Sequence, residues 1–150
     1  MDADLPLLLR LALGSMLLAH GANKVWGGGG LPGTASWFEG LGMRPGWLHA
    51  RLAVVAELGA GALMCLGLLT PLAGAAFVGL MVTAALTDHR DNGFFPVVLV
   101  WLGPGRWSVD HLLGAALSGP VVALKAGTLG LVASLGLLTS VGQLRRKAVA

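Results

Sequence analysis

Apolar residues run in long unbroken stretches along this chain, with polar residues confined to short interruptions. From Leu58 to Thr87 there are thirty residues without Lys, Arg, Asp or Glu, and from Ala126 to Leu144 nineteen more. A helix that crosses the hydrocarbon core of a bilayer needs about 20 predominantly apolar residues. A membrane β-strand would show polarity alternating at period two, and runs such as Leu7-Leu8-Leu9 or Leu63-Met64-Cys65-Leu66 do not. The pattern predicts an all-α, integral membrane bundle of about four transmembrane helices, a single membrane domain over 1–150. The spans fall near 5–26, 48–69, 72–89 and 120–144. The apolar stretch 94–102 is too short to cross alone as a helix.

The interruptions set the boundaries. Gly27 to Gly30 reads as the start of a flexible loop reaching Pro45-Gly46. Trp37, Phe38 and Trp47 within it suggest a segment at headgroup level. Thr70-Pro71 reads as a tight break between the second and third spans, because the residue before proline is pushed out of helical geometry. Asp91-Asn92-Gly93 reads as a helix stop. Ser108 reads as an N-cap, with Asp110 suited to the positive end of the helix that follows. Small residues four apart, Ala56 with Ala60 and Ala75 with Gly79, allow close helix approach in lipid and predict assembly with a protein partner or a second copy. Arg145-Arg146-Lys147 is the densest positive cluster near a span end, which places the C-terminus in the cytoplasm. Four crossings would put the N-terminus on that side too. The first span lacks the basic start of a signal peptide and is expected to be retained.

Composition narrows the class. Hydrophobic residues make up 55% of the chain and charged residues 11%, against about 25% charged in a soluble domain. A soluble monomer and a disordered chain are both excluded. The ten Lys and Arg are scattered, with a formal net charge of +3, so there is no basic stripe for nucleic acid. The single cysteine, Cys65, forms no internal disulfide and no CxxC pair, and reads as a small core residue.

Ionisable residues inside spans are expensive and therefore informative. Glu57 lies nine residues into the second span, about 13 Å deep at 1.5 Å per residue. It must be neutral, paired or facing a wet cavity. His20 and Lys24 lie near the end of the first span, four residues apart on one helical face. Asp88 and His89 end the third. His20, Lys24, Glu57, Asp88 and His89 are thus expected in the same half of the bundle. One reading is purely structural, with charges pairing to orient helices. The other is a polar intramembrane pocket for a quinone or similar ligand, with Glu57 and a histidine passing protons. A haem held by His20 and His89 ranks below it, and no motif points to a bound metal. His49 and His111, at helix starts, are expected at the membrane surface.

Several short motifs resemble the DoxX family in order and spacing. They are His20-Gly21-x-x-Lys24, Glu57-Leu58-Gly59-Ala60-Gly61, Leu66-Gly67-Leu68-Leu69-Thr70-Pro71, Asp88-His89 with Asn92-Gly93-Phe94-Phe95, and Leu102-Gly103-Pro104-Gly105-Arg106-Trp107-Ser108-x-Asp110. The resemblance implies a small four-helix protein of the prokaryotic inner membrane. It also implies a link to membrane oxidoreductase complexes, one relative being a subunit of a thiosulfate:quinone oxidoreductase. This chain departs from the family in having only Pro96 to Leu102 between its last two motifs, where a full span is usual. The leading expectation is a membrane subunit of a redox complex that meets the quinone pool. The alternatives are a non-catalytic scaffold recruiting a soluble enzyme, and a small transporter or channel. Whether the chain is itself an enzyme is left open.

Overall fold

The computed structural model describes residues 5–87, 108–113 and 120–149. The described residues form helices joined by turns: α1 (Leu5–Trp26), α2 (Gly30–Gly40), α3 (Gly46–Leu66), α4 (Thr70–Thr87), the short α5 (Val109–Leu112) and α6 (Pro120–Val149). Among them α1, α3 and the Pro120–Thr139 part of α6 are long and apolar enough to cross a membrane, and Thr70–Ala84 of α4 is a shorter apolar helix. Between 22% and 39% of each long span is buried within the protein. The rest presents side chains such as Leu8, Val55, Leu124 and Val132 outward. A soluble protein rarely tolerates so continuous an apolar surface, whereas lipid solvates it. The protein is a multi-pass helical membrane protein.

Helix α1 packs antiparallel on α3. Their backbones meet where Gly14 faces Gly61 and Gly21 faces Leu58; a Cβ on Gly14 would stand 2.9 Å from the Gly61 carbonyl. Without a hydrophobic effect between helices in lipid, such close approach gives van der Waals contact its largest return. Leu17, Ala60, Met64, Ala73 and Phe77 form the core where α1, α3 and α4 meet.

Helices α4 and α6 run parallel. Ala75 packs on Ala123 and Ala126, Gly79 meets Gly130, and Thr83 shares a hydrogen bond with Ser134, Oγ to Oγ 2.9 Å. Each helix thus offers a small residue every fourth position to the other. A Cβ on Gly130 would run into the Ala75 carbonyl. Ser108 stands beside Gly67 at the start of α4, and Thr87 at its end. The far end of α6 also lies beside α2, because Leu137 packs on the cluster of Phe38, Met43 and Ala50. The start of α1 and the end of α6 therefore face opposite sides of the membrane. That overturns the expectation that both termini share a side, which rested on counting spans without knowing their directions.

Two boundaries also differ from the sequence reading. The stretch read as a loop contains α2. Its Leu31, Ala35 and Phe38 turn toward Ala50 and Ala53 of α3, and Pro32 falls in its first turn, where a missing N–H costs nothing. Burial of this stripe outweighs the glycine-rich sequence. The break after α3 comes earlier than Thr70-Pro71. Gly67, at φ +66°, ends α3, with the Gly67 and Leu68 N–H groups donating to the Met64 and Leu63 carbonyls at 3.1 and 2.9 Å. This is the left-handed closure that glycine adopts without steric cost. Pro71 then lies in the first turn of α4. The stretch 94–102 lies outside the described residues.

Candidate functional site

The antiparallel fit of α1 and α3 decides where Lys24 goes. Gly21, one turn before Lys24, sits against Leu58 and the Glu57 side chain. The Lys24 stem therefore reaches across, and its Nζ donates to both carboxylate oxygens of Glu57, at 2.6 and 2.8 Å. Glu57 is 8% exposed and the Lys24 side chain 19%. A bidentate, charge-assisted pair of this kind offsets much of the desolvation cost that a lone carboxylate would carry in the membrane.

The pair does not sit in a closed core. It forms part of the wall of a cleft of about 400 Å³ bounded by α2, α3, α4 and α6. The cleft walls are mostly apolar and small, including Ala53, Ala56, Ala75, Ala76 and Gly79, with Leu72, Leu80 and Leu129 around them. Polar groups enter at three places: the Lys24–Glu57 pair, His49, and the Thr83–Ser134 hydrogen bond. An apolar cavity with a few convergent polar groups is the usual form of a small-molecule site, and its volume falls within the range of about 300–1,000 Å³ typical of such sites.

The sequence-derived candidates separate in the structure. Lys24 and Glu57 come together. His20, on the same face of α1 as Lys24, is exposed; its Nδ1 lies 2.9 Å from the Met16 carbonyl, and it faces the α1–α2 turn rather than the cleft. Asp88 and His89 lie outside the described residues. Among the described residues no three His, Cys, Asp or Glu side chains gather in a way that could hold a metal ion.

Sequence reasoning missed three cleft residues. His49, expected at the membrane surface, is 7% exposed and packs beside the Phe38 ring with centroids 6.4 Å apart. A loop over residues 27–46 leaves it uncovered, and α2 is what covers it. A signal was present all the same: His49, Ala53 and Glu57 follow one another at intervals of four along α3, so they share a face. Thr83 and Ser134 carried no such mark, since their pairing depends on the register of α4 against α6.

A second buried polar cluster lies at the opposite end of α1. Asp110 accepts from the Leu69 N–H at 2.8 Å, and its other oxygen accepts from the Thr70 N–H at 2.9 Å and the Thr70 hydroxyl at 2.8 Å. One carboxylate thus satisfies the orphan amides at the start of α4. It also holds Leu69 in the left-handed region, at φ 48°, which costs a residue with a Cβ roughly 1–2 kcal/mol. Ser108 caps α5 by accepting from the His111 N–H at 3.1 Å, as its sequence position suggests. Arg10 is fully buried beside Asp110, and a Cβ on Gly67 would collide with the Arg10 guanidinium and with Ser108. His111 itself is exposed.

Known proteins resemble the chain in sequence. The chain is 31% identical, over a 131-residue alignment, to an uncharacterized membrane protein of Mycobacterium tuberculosis; the match covers 70% of this chain and 78% of the relative. No solved structure matches the chain. The DoxX family model matches residues 5–90, which include α1, the Lys24–Glu57 pair and the α3–α4 turn. This chain belongs to the DoxX family of membrane proteins.

Proposed function

We propose that the protein is a membrane subunit of a redox complex, and that its α2–α3–α4–α6 cleft binds a quinone headgroup beside the Lys24–Glu57 pair. The observation that carries this reading is the pair itself: buried charges set in the wall of an apolar cleft of about 400 Å³. The residues fit such a ligand. A quinone needs apolar walls for its ring and hydrogen-bond donors for its carbonyls. Lys24 and His49 offer N–H donors, and Thr83 and Ser134 offer hydroxyls. When bound, a quinone carries electrons together with protons, and the electrons would come from a partner subunit of the complex. Glu57, bonded to Lys24, sets a carboxylate next to the site that can exchange a proton with the ligand. Family membership supports the redox setting and does not choose the ligand.

The same reading places the protein in a prokaryotic inner membrane as a single membrane domain, with the α2 side in the cytoplasm. Lys24, Arg44 and Arg51 lie at that end, and Arg145, Arg146 and Lys147 follow along α6 toward it. Positive charge near span ends favours the cytoplasmic side.

Trp37 lines the cleft and gives a direct test. Protein in liposomes is titrated with a short-chain menaquinone while tryptophan fluorescence is followed. Saturable quenching that weakens in Glu57→Gln and His49→Leu is the expected result. Quenching that does not saturate, or that is unchanged in both variants, overturns the reading.

A further inference from the structure

A second pocket, of about 430 Å³, lies between the last turn of α1 and the first turn of α2. Its lining is more polar than that of the cleft. His20 and Asn23 line it from α1 and Thr34 from α2, with the main chain of Gly27 to Gly30 between them. It opens outward: an added Cβ on Gly28 or Gly33 would meet nothing within 4 Å. The first turn of α2 is tied to the end of α1 by the Thr34 hydroxyl, which lies 3.3 Å from the Lys24 carbonyl and 3.0 Å from that of Gly30. Lys24 and Trp37 line this pocket and the cleft alike, so the two cavities share one wall.

We propose that this pocket is a water-holding vestibule on the α2 side of the membrane, and that the Lys24 side chain closes it from the cleft. Protons then reach the cleft from that side, through the Lys24–Glu57 pair. The chemistry of the lining suits the task. A polar cavity of this size holds water readily. A carbonyl can only accept, so His20 donates to Met16 through Nδ1 and keeps Nε2 as the nitrogen that takes up a proton. Among the described residues, the ionisable groups that line the two cavities beside the pair are His20 of α1 on the vestibule side and His49 of α3 on the cleft side. Glu39 of α2 is turned away, accepting from the Gly46 N–H at 3.2 Å, and the described residues of α4 and α6 that line the cleft carry no ionisable side chain. Transfer needs no electron: as the flexible lysine stem swings into the vestibule, a proton passes from the His20 imidazolium through water to the Glu57 carboxylate. An O–H bond forms on Glu57 and the imidazole returns to its neutral state.

The use of this route for quinone chemistry rests on the function proposed above; the vestibule and its closure do not. The test therefore needs no quinone. In a Cys65→Ala background, single cysteines are placed in the vestibule (Thr34→Cys) and in the cleft (Ala56→Cys). Reconstituted protein is exposed to a charged, membrane-impermeant maleimide from either side. The expected result is labelling of Thr34→Cys from the α2 side alone and background labelling of Ala56→Cys. Adding Lys24→Ala with Glu57→Gln removes the barrier without stranding a charge. Labelling of Ala56→Cys from the α2 side should then rise to the level of the vestibule cysteine. The inference is overturned if Thr34→Cys stays unlabelled from that side. It is overturned equally if Ala56→Cys reacts as fast with Lys24 present, or if the double variant leaves it at background. Saturable menaquinone quenching with a failed labelling pattern would sink the vestibule and leave the cleft reading standing.

Discussion

Among the described residues, two charged clusters are buried or half-buried in this small bundle, and they are built to different ends. At the α3–α4 turn, Arg10 and Asp110 are 0% and 1% exposed. Asp110 spends its lone pairs on the amides and hydroxyl that begin α4. Everything there serves a chain reversal: Gly67, Leu69, Thr70 and Ser108 converge on one carboxylate and one guanidinium. Toward the other end, Lys24 and Glu57 satisfy each other and sit in the wall between an apolar cleft and a polar pocket. The first cluster is sealed and multiply bonded, which is how a structural pin looks. The second is one bidentate pair across two helices with a cavity on either side, which is how a site looks. Cost in the membrane alone does not separate structure from function; the surroundings of each charge do.

The sharpest way to break that contrast is to remove one partner at each cluster and compare. Asp110→Ala should be the most damaging change in the protein. It leaves the Leu69 and Thr70 amides and the Thr70 hydroxyl without their acceptor, a loss of about 1–3 kcal/mol for each buried donor. Loss of folded protein on size exclusion in mild detergent is the expected readout. If Asp110→Ala melts within a degree or two of the parent, the cluster is no pin.

Next in size is Gly130→Leu. The side chain would be driven into the Ala75 backbone, and overpacking of this kind costs about 1–3 kcal/mol. The expected outcome is a lower melting temperature together with weaker menaquinone quenching, because α6 forms one wall of the cleft. Quenching that survives intact would mean that α6 contributes nothing to the site.

Glu57→Gln should reverse the pattern seen at Asp110. The amide oxygen still accepts from Lys24, and the ammonium can reach the polar pocket, so stability should fall by only about 1 kcal/mol, the scale of one hydrogen bond. Ligand response should fall far more. A variant that unfolds as badly as Asp110→Ala would make the pair a second pin and remove the basis for the proposed function.

The smallest effect belongs to His20→Ala. The side chain is exposed and bonded to its own helix, so stability should change by less than about 0.5 kcal/mol. Menaquinone quenching at fixed pH should be unaltered. A clear loss of quenching would place His20 in the ligand site rather than in the outer pocket.

Much of this was legible in the chain. The charge-free runs dictate apolar helices because a backbone in lipid has to bond to itself, and the cost of a buried carboxylate singled out Glu57 before its partner was known. Lys24 stands out near the end of the first span, and the antiparallel fit of α1 on α3 makes it the partner. Other features could not be read. The glycines of residues 27–40 speak against a helix locally, and α2 forms because Phe38 has Ala50 and Met43 to bury against. Arg10 and Asp110 are a hundred residues apart in the chain, and neither sits in a pattern that names the other.

Sequence by itself determined the class of solvent and the identity of the costly residues, because hydropathy and charge are properties of side chains taken one at a time. Tertiary structure alone decided direction, register and pairing. Parallel packing of α4 on α6 put the termini on opposite sides and brought Thr83 to Ser134. The fold of α2 over α3 turned His49 from a surface residue into a cleft residue. These outcomes depend on how two helical surfaces fit, a relation between distant stretches of chain that no local pattern encodes.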